Sequence, residues 1–301
     1  MNDATRMNGE TTTNSTTPLN GEASTDAQGA SPSYSNFPLV VGHRGASAVA
    51  PENTLAAFER ALQDGADGIE FDVRLARDLV PVVIHDATLK RTAGLDAPVA
   101  ALSSSELSAV DAGSWFNRRR PKRAAESYAL ETVPTLRCVF ERVAPRCQVL
   151  YVELKCETGD AASLVERVVA LVRAHKLERR VVVESFSLAA VAEVKRIAPD
   201  LRAAAAFERR LGAPLPPART LLKRALGCRA DELALARSLV SRRTVEAARA
   251  RGLQTIVWTV DHPSWFGRAC SLGLSAVITN DPARMCAARD AFRKLTVDAG
   301  R

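Results

Sequence analysis

No stretch of this 301-residue chain approaches the roughly 18 consecutive apolar residues of a membrane span, which argues against a spanning segment. The six cysteines, Cys138, Cys147, Cys156, Cys228, Cys270 and Cys286, include no C-x-x-C pair. That scatter argues against a disulfide frame or a zinc site and for reduced, structural thiols. Aromatics make up only 5% of residues, and none interrupts the densest basic stretch, "RRRPKR" at 118–123. Lacking stacking partners, it reads as a solvated loop, and nucleic acid is not an expected partner. The first 36 residues lack apolar periodicity, and they also lack the basic start and apolar stretch of a secretory signal. Rich in Thr, Ser, Asn and Gly, residues 1–36 are predicted to be a disordered tail. The globular part is then 37–301, in a protein expected to be cytoplasmic; the sequence carries no sign of oligomeric state.

What is present is the balance of a soluble globular domain, 47% apolar and 25% charged, with a net charge of +7. The tail is acidic, with Asp3, Glu10, Glu22 and Asp26 against Arg6, so the body is more basic than the whole. Such a body favours a phosphate-bearing partner. Short strand-like runs recur: "LVVGH" (39–43), "GIEFDV" (68–73), "VLYVELK" (149–155), "RVVVES" (180–185), "LRAAAAF" (201–207), "ELALA" (232–236), "LQTIVWTV" (253–260) and "LSAVIT" (274–279), of which "LRAAAAF" and "ELALA" fit a helix equally well. Amphipathic segments alternate with them, such as "NTLAAFERALQDG" (53–65), where Asn53 is the expected N-cap and Gly65 the C-cap. Eight strand–helix units predict an α/β fold, a closed (β/α)8 TIM barrel, with an open doubly wound sheet as the alternative. The rhythm breaks after "VVIHD" (82–86), where about 87–132 reads as a small insertion over one end of the barrel, after the second strand region.

Side chains alternate across a strand, so Glu70 and Asp72 share one face of "GIEFDV" while Ile69, Phe71 and Val73 share the other. Two confined carboxylates need a cation, which points to metal ligation rather than an edge strand with surface charges. Glu153 and Lys155 repeat the device in "VLYVELK". A third carboxylate would complete a hard-oxygen site for Ca²⁺ or Mg²⁺, and Lys155 could hold an anion bridging to that metal. His43 and His85 both end apolar runs, where a barrel places its chemistry. The remaining histidines, His175 and His262, receive no role.

These pieces, in order, are "HRG", "PENT", "AF", "GADGIEFDV", "VVIHD", "LKRT", "VPTL", "VELK", "SF", "VWTV" and "ITNDP", covering residues 39 to about 283. The series resembles the glycerophosphodiester phosphodiesterases. The resemblance implies a metal-dependent barrel that hydrolyses small-molecule glycerophosphodiesters to sn-glycerol 3-phosphate and an alcohol. Position by position, it implies Glu70, Asp72 and Glu153 as ligands of one divalent cation and His43 and His85 as the acid–base pair. Arg44 and Lys155 match phosphate-binding residues, Trp258 an aromatic at the glycerol or phosphate end, and Glu52 a residue on the metal or substrate side. Two departures stand out. "LARDL" puts Leu79 where the family commonly has glycine, implying a differently shaped hairpin, and Glu184 replaces a neutral polar residue. A lysophospholipase D acting through the same site, or a non-catalytic phosphodiester-binding barrel, are the competing functions.

Overall fold

The computed structural model describes residues 37–298 except 157, 158, 160, 210, 211 and 213; the predicted tail lies outside the described residues. Nine strands form one sheet: β1 (Leu39–His43), β2 (Gly68–Leu75), β3 (Pro81–Val83), β4 (Val149–Leu154), β5 (Val181–Ser185), β6 (Arg202–Phe207), β7 (Glu232–Ala236), β8 (Gln254–Trp258) and β9 (Ala276–Thr279). All but β3 run parallel in the order β1-β9-β8-β7-β6-β5-β4-β2, and the β1–β2 pairing closes the ring. The eight-stranded TIM barrel, not the open sheet, is therefore the fold. β3 adds to the end of β2 as an antiparallel hairpin partner.

Alternation along each strand divides the barrel into two apolar layers. Ile69, Phe71, Val73, Val152, Leu154 and Val183 face outward into one continuous core with the surrounding helices. Val41, Tyr151, Val182, Ala204, Ala234, Ile256 and Ile278 fill the interior. "LRAAAAF" and "ELALA", which lack a β-branched signature, are strands because their alanines leave room inside the ring beside Tyr151. The 87–132 insertion packs its own small core, including Leu89, Val99 and Leu107, against Val82 and Ile84 at the β3 hairpin.

Helix starts follow side-chain capping, with Thr135, Ser187 and Ser241 each accepting from a backbone N–H in the first turn. The helix Leu55–Gln63 corrects both cap expectations. Thr54, not Asn53, is its N-cap, accepting from the Ala57 N–H. Asn53 instead sits in the left-handed region at φ 58°, freeing its amide for a partner on β2. The C-cap is likewise Asp64 rather than Gly65, which follows it in the left-handed region at φ 88°.

Two left-handed residues contrast. Gly45 has φ 81°, and an added Cβ would lie 2.5 Å from the Ala57 carbonyl carbon, so only glycine fits. Leu79 adopts φ 59° with its side chain 45% exposed, and its N–H still donates to the Ala76 carbonyl. The hairpin thus keeps the left-handed turn of a glycine-bearing one, and the leucine carries strain of about 1–2 kcal/mol. Leu79→Gly is therefore expected to hold or raise the urea denaturation midpoint. Gly45→Ala should lower stability by about 2 kcal/mol or more in the same measurement.

Candidate active site

The proposed site residues gather at one end of the barrel, because the parallel strands deliver their C-termini to that rim and the antiparallel β3 hairpin returns the chain to it. His43 ends β1, Trp258 ends β8, Lys155 follows β4, and His85 comes two residues after β3. Register does the rest. His43 pairs with Glu70, Asp72 with Glu153, and Glu153 with Glu184 across three neighbouring strand pairs. Glu70, Asp72 and Glu153 offer carboxylate oxygens all within 4.8 Å of one another, and all three are buried. Three buried carboxylates with only hard oxygen donors fit a divalent cation of the Mg²⁺ or Ca²⁺ type.

Neighbouring charges set the protonation balance of this cluster. Burial pushes the Asp72 carboxyl up, but Arg44 and Lys155 outweigh it and hold the group well below the usual range. Arg44 Nε lies 3.1 Å from Asp72 Oδ2, and Lys155 Nζ lies 3.0 Å from Oδ1 and 2.5 Å from Glu153 Oε1. Asn53 adds an amide N–H to Asp72 Oδ2 at 2.8 Å. The two glutamates are left with the deficit. Burial, then Asp72, pushes Glu153 up to about 7, and burial with both neighbouring carboxylates pushes Glu70 well above its ordinary value. The cluster is short of positive charge.

Arg44 is positioned by strain as well as by pairing. It occupies the left-handed region at φ 54°, and its backbone N–H donates to Glu70 Oε2 at 3.0 Å. Glu52 faces this guanidinium rather than the carboxylate triad. It bonds Arg44 at 2.8 Å, and Arg91 grips both of its oxygens at 2.8 Å. Engaged by two arginines, Glu52 is not among the three carboxylates that come within 4.8 Å of one another.

The two histidines are held differently. His43 Nδ1 is 2.7 Å from Asn280 Oδ1, leaving Nε2 toward Glu70 at 3.9 Å. Asn280 is itself fixed by Asp261, which accepts from its backbone N–H and its side-chain amide. Burial, then Arg44, lowers His43 to about 4. His85 Nδ1 meets Asp86 Oδ1 at 2.6 Å, and Arg91 bonds the same carboxylate. His175 lies outside the rim against Phe140, and His262 bonds Ser264 at the surface.

Two cavity lobes share His43 and Arg44. The first, about 440 Å³, contains Glu70, His85, Glu153, Lys155, Phe186 and Trp258. The Trp258 indole N–H is buried there without a partner among the described residues. Glu184 also faces this lobe, its carboxyl pushed up by burial and by Glu153. The second lobe, about 450 Å³, is walled by the insertion and lined by Arg119 and Arg120. Part of the basic stretch expected to be a solvated loop thus borders the site.

The model of the glycerophosphoryl diester phosphodiesterase family matches residues 43–284. The glycerophosphodiester phosphodiesterase of Caldanaerobacter subterraneus is 33% identical over 244 residues, covering 81% of this chain and 94% of that protein. The chain belongs to the glycerophosphoryl diester phosphodiesterase family. It is a phosphoric diester hydrolase of the glycerophosphodiester type. A Bacillus subtilis glycerophosphodiester phosphodiesterase is 30% identical over 252 residues, covering 81% of this chain and 84% of its own length. Among solved structures, an Oleispira antarctica phosphodiesterase in complex with the product sn-glycerol-3-phosphate superposes with a TM-score of 0.74 at 29% identity. That match covers 85% of this chain and 98% of the other. An Agrobacterium tumefaciens glycerophosphodiester phosphodiesterase gives 0.69 at 32% identity, covering 83% and 100%.

Sequence reasoning missed Asn53, Asp261, Asn280 and Arg91, the residues that hold others in place. Asn280 lies in the "ITNDP" segment, but a hydrogen bond across 237 residues has no local signature. In this phosphodiesterase, Glu70→Gln is expected to leave the chelated protein as stable as wild type or more so, because it removes a buried like charge. It should also abolish the rise in melting temperature on adding Mg²⁺ or Ca²⁺, a stabilisation of about 2.7 kcal/mol at 100 times Kd for the wild type. An undiminished rise in the variant would remove Glu70 from the metal group.

Proposed function

We propose that this enzyme hydrolyses glycerophosphodiesters to sn-glycerol 3-phosphate and an alcohol, using one divalent cation, Ca²⁺ or Mg²⁺, and a His43–His85 acid–base pair. The observation that carries the reading is the convergence of Glu70, Asp72 and Glu153 within 4.8 Å, beside Arg44 and Lys155, in a lobe that both histidines border. When bound by the triad, the cation supplies positive charge for the phosphoryl oxygens and for a glycerol or water hydroxyl. Lys155, held between Asp72 and Glu153, would turn toward the phosphate once a cation shared the charge of those carboxylates. Arg44, anchored by Glu52, presents a planar fork to two phosphoryl oxygens, and the two cations stabilise charge as displacement proceeds.

His85 sits in the triad lobe and takes the proton of the attacking hydroxyl, while Asp86 holds its Nδ1 side. His43 stands where the lobes meet, so its Nε2 faces the oxygen of the departing alcohol and protonates it. An incoming phosphodiester anion raises the His43 pKa against the effects of burial and Arg44. Asn280 and Asp261 fix the ring so that Nε2 carries this work. Trp258 packs at the glycerol end, offering its ring to the substrate's carbon skeleton. The cysteines form no disulfide among the described residues, which supports a cytoplasmic setting. No described helix is long and apolar enough to cross a membrane.

A coupled assay for sn-glycerol 3-phosphate tests the reading. Glycerophosphocholine should be turned over faster than lysophosphatidylcholine, and chelation should stop the reaction until Mg²⁺ or Ca²⁺ is restored. His43→Ala and His85→Ala should each lower kcat by about 10² to 10⁴. Activity that survives full metal removal, or that persists in either alanine variant, would overturn the mechanism. Asn280→Ala should lower kcat about tenfold or more with little change in KM, and should shift the limb of the pH–rate profile that reports His43.

A further inference from the structure

We infer that the lobe walled by the insertion seats the alcohol arm of the diester and selects arms that carry a second negative charge. The inference rests on the proposed phosphodiester hydrolysis and adds its substrate class. A diester has two arms, and the two lobes meet at His43 and Arg44, the residues assigned to the leaving oxygen and the phosphate. The triad lobe already holds the carboxylate triad and Glu208, and its two basic side chains are engaged by those carboxylates and by Glu52. The insertion lobe has the opposite sign.

Its carboxylates are already engaged. Glu52 is taken by Arg44 and Arg91, and Asp261 accepts from the Thr279 hydroxyl and from Asn280. Arg119 and Arg120, exposed at its wall, form no ion pair among the described residues. Two uncompensated guanidiniums on one side of a cavity are donors suited to phosphate or another anion.

The wall that presents them is fixed. Asp111 Oδ1 accepts from the Gly113 and Ser114 N–H groups at the start of the helix Ser114–Arg119. On that helix, Phe116 is buried and packs edge-on against Trp115 and Tyr128 at 5.9 and 5.7 Å. Tyr128 Oη donates to the Val49 carbonyl at 3.2 Å, and Arg123 donates to the Ala48 carbonyl. The insertion is thus stitched to the loop that carries His43 and Arg44. Trp115, with the Arg91 guanidinium 6.0 Å from its ring centre, gives the lobe a flat face for a hydroxylated carbon skeleton. The occupant implied is an anionic, hydroxylated alcohol, either a phosphorylated polyol or a glycerol bearing a further phosphodiester.

The test compares kcat/KM for glycerophosphoinositol phosphate and bis(glycerophospho)glycerol, whose arms are anionic, with that for glycerophosphocholine, whose arm is cationic. The wild type should favour the anionic arms about tenfold or more in low salt, and the preference should shrink as salt shortens the screening length. Which anionic substrate leads separates a phosphomonoester from a phosphodiester arm. R119K/R120K should keep the ratio, R119A/R120A should bring it toward one, and R119E/R120E should invert it. A ratio that ignores the charge at these two positions overturns the inference. So does binding to anionic phosphatidylglycerol vesicles that follows this charge while the substrate ratio does not, since the patch would then be a lipid-docking surface. If no diester is hydrolysed, the proposed function fails, and calorimetric binding of glycerophosphoinositol phosphate decides alone. Affinity that tracks the charge at 119 and 120 sustains the lobe, and affinity that does not overturns it.

Discussion

Negative charge buried at the barrel mouth is the constraint around which this molecule is arranged. Asp72 is wholly inaccessible, and Glu70, Glu153 and Glu184 are nearly so. Removing such groups from water costs several kcal/mol each unless a cation or donors replace the solvent. Arg44 and Lys155 serve Asp72, Asn53 adds an amide, and the glutamates remain under-compensated. A site built this way is stable enough to fold and still favours a divalent ion. The same basic groups that offset these carboxylates are the ones proposed to face phosphate.

The rest of the rim reads as support for that arrangement. Glu52 is taken up by two arginines, which keeps Arg44 aimed inward and ties Arg91, from the insertion, to the first loop. Asp261, after β8, and Asn280, after the neighbouring strand β9, set the His43 ring from beside it. Even the backbone contributes: Arg44, Gly45 and Asn53 all take left-handed conformations within one loop. Strain of this kind persists only where surrounding contacts over-determine it. Here those contacts are the Glu70 acceptor, the close approach of the helix Leu55–Gln63, and the Asp72 carboxylate.

Local sequence carried a great deal of this. The alternation in "GIEFDV" put Glu70 and Asp72 on one face, and the count of strand–helix units gave the barrel. Asn53 shows the limit of local rules. It looked like a helix cap, but Thr54 caps the helix one residue later, and the Asn53 amide is drawn to a strand 19 residues away. Arg119 and Arg120 show the same limit at longer range. Nothing in "RRRPKR" distinguishes the two arginines that line a cavity from those that do not.

The sequence by itself determined the strand–helix alternation, the shared face of Glu70 and Asp72 on β2 and of Glu153 and Lys155 on the β4 run, and which carboxylates could hold a cation. Period-two alternation, capping and residue chemistry are properties of neighbouring positions. Tertiary structure alone decided that Asp72 stands beside Glu153 and Glu153 beside Glu184, because register between strands is set by closure of the whole ring. It also decided which charges are paired and which are left open. Pairing depends on distances between residues far apart in the chain, and it is that pairing which turns a list of polar residues into a site with a deficit of positive charge.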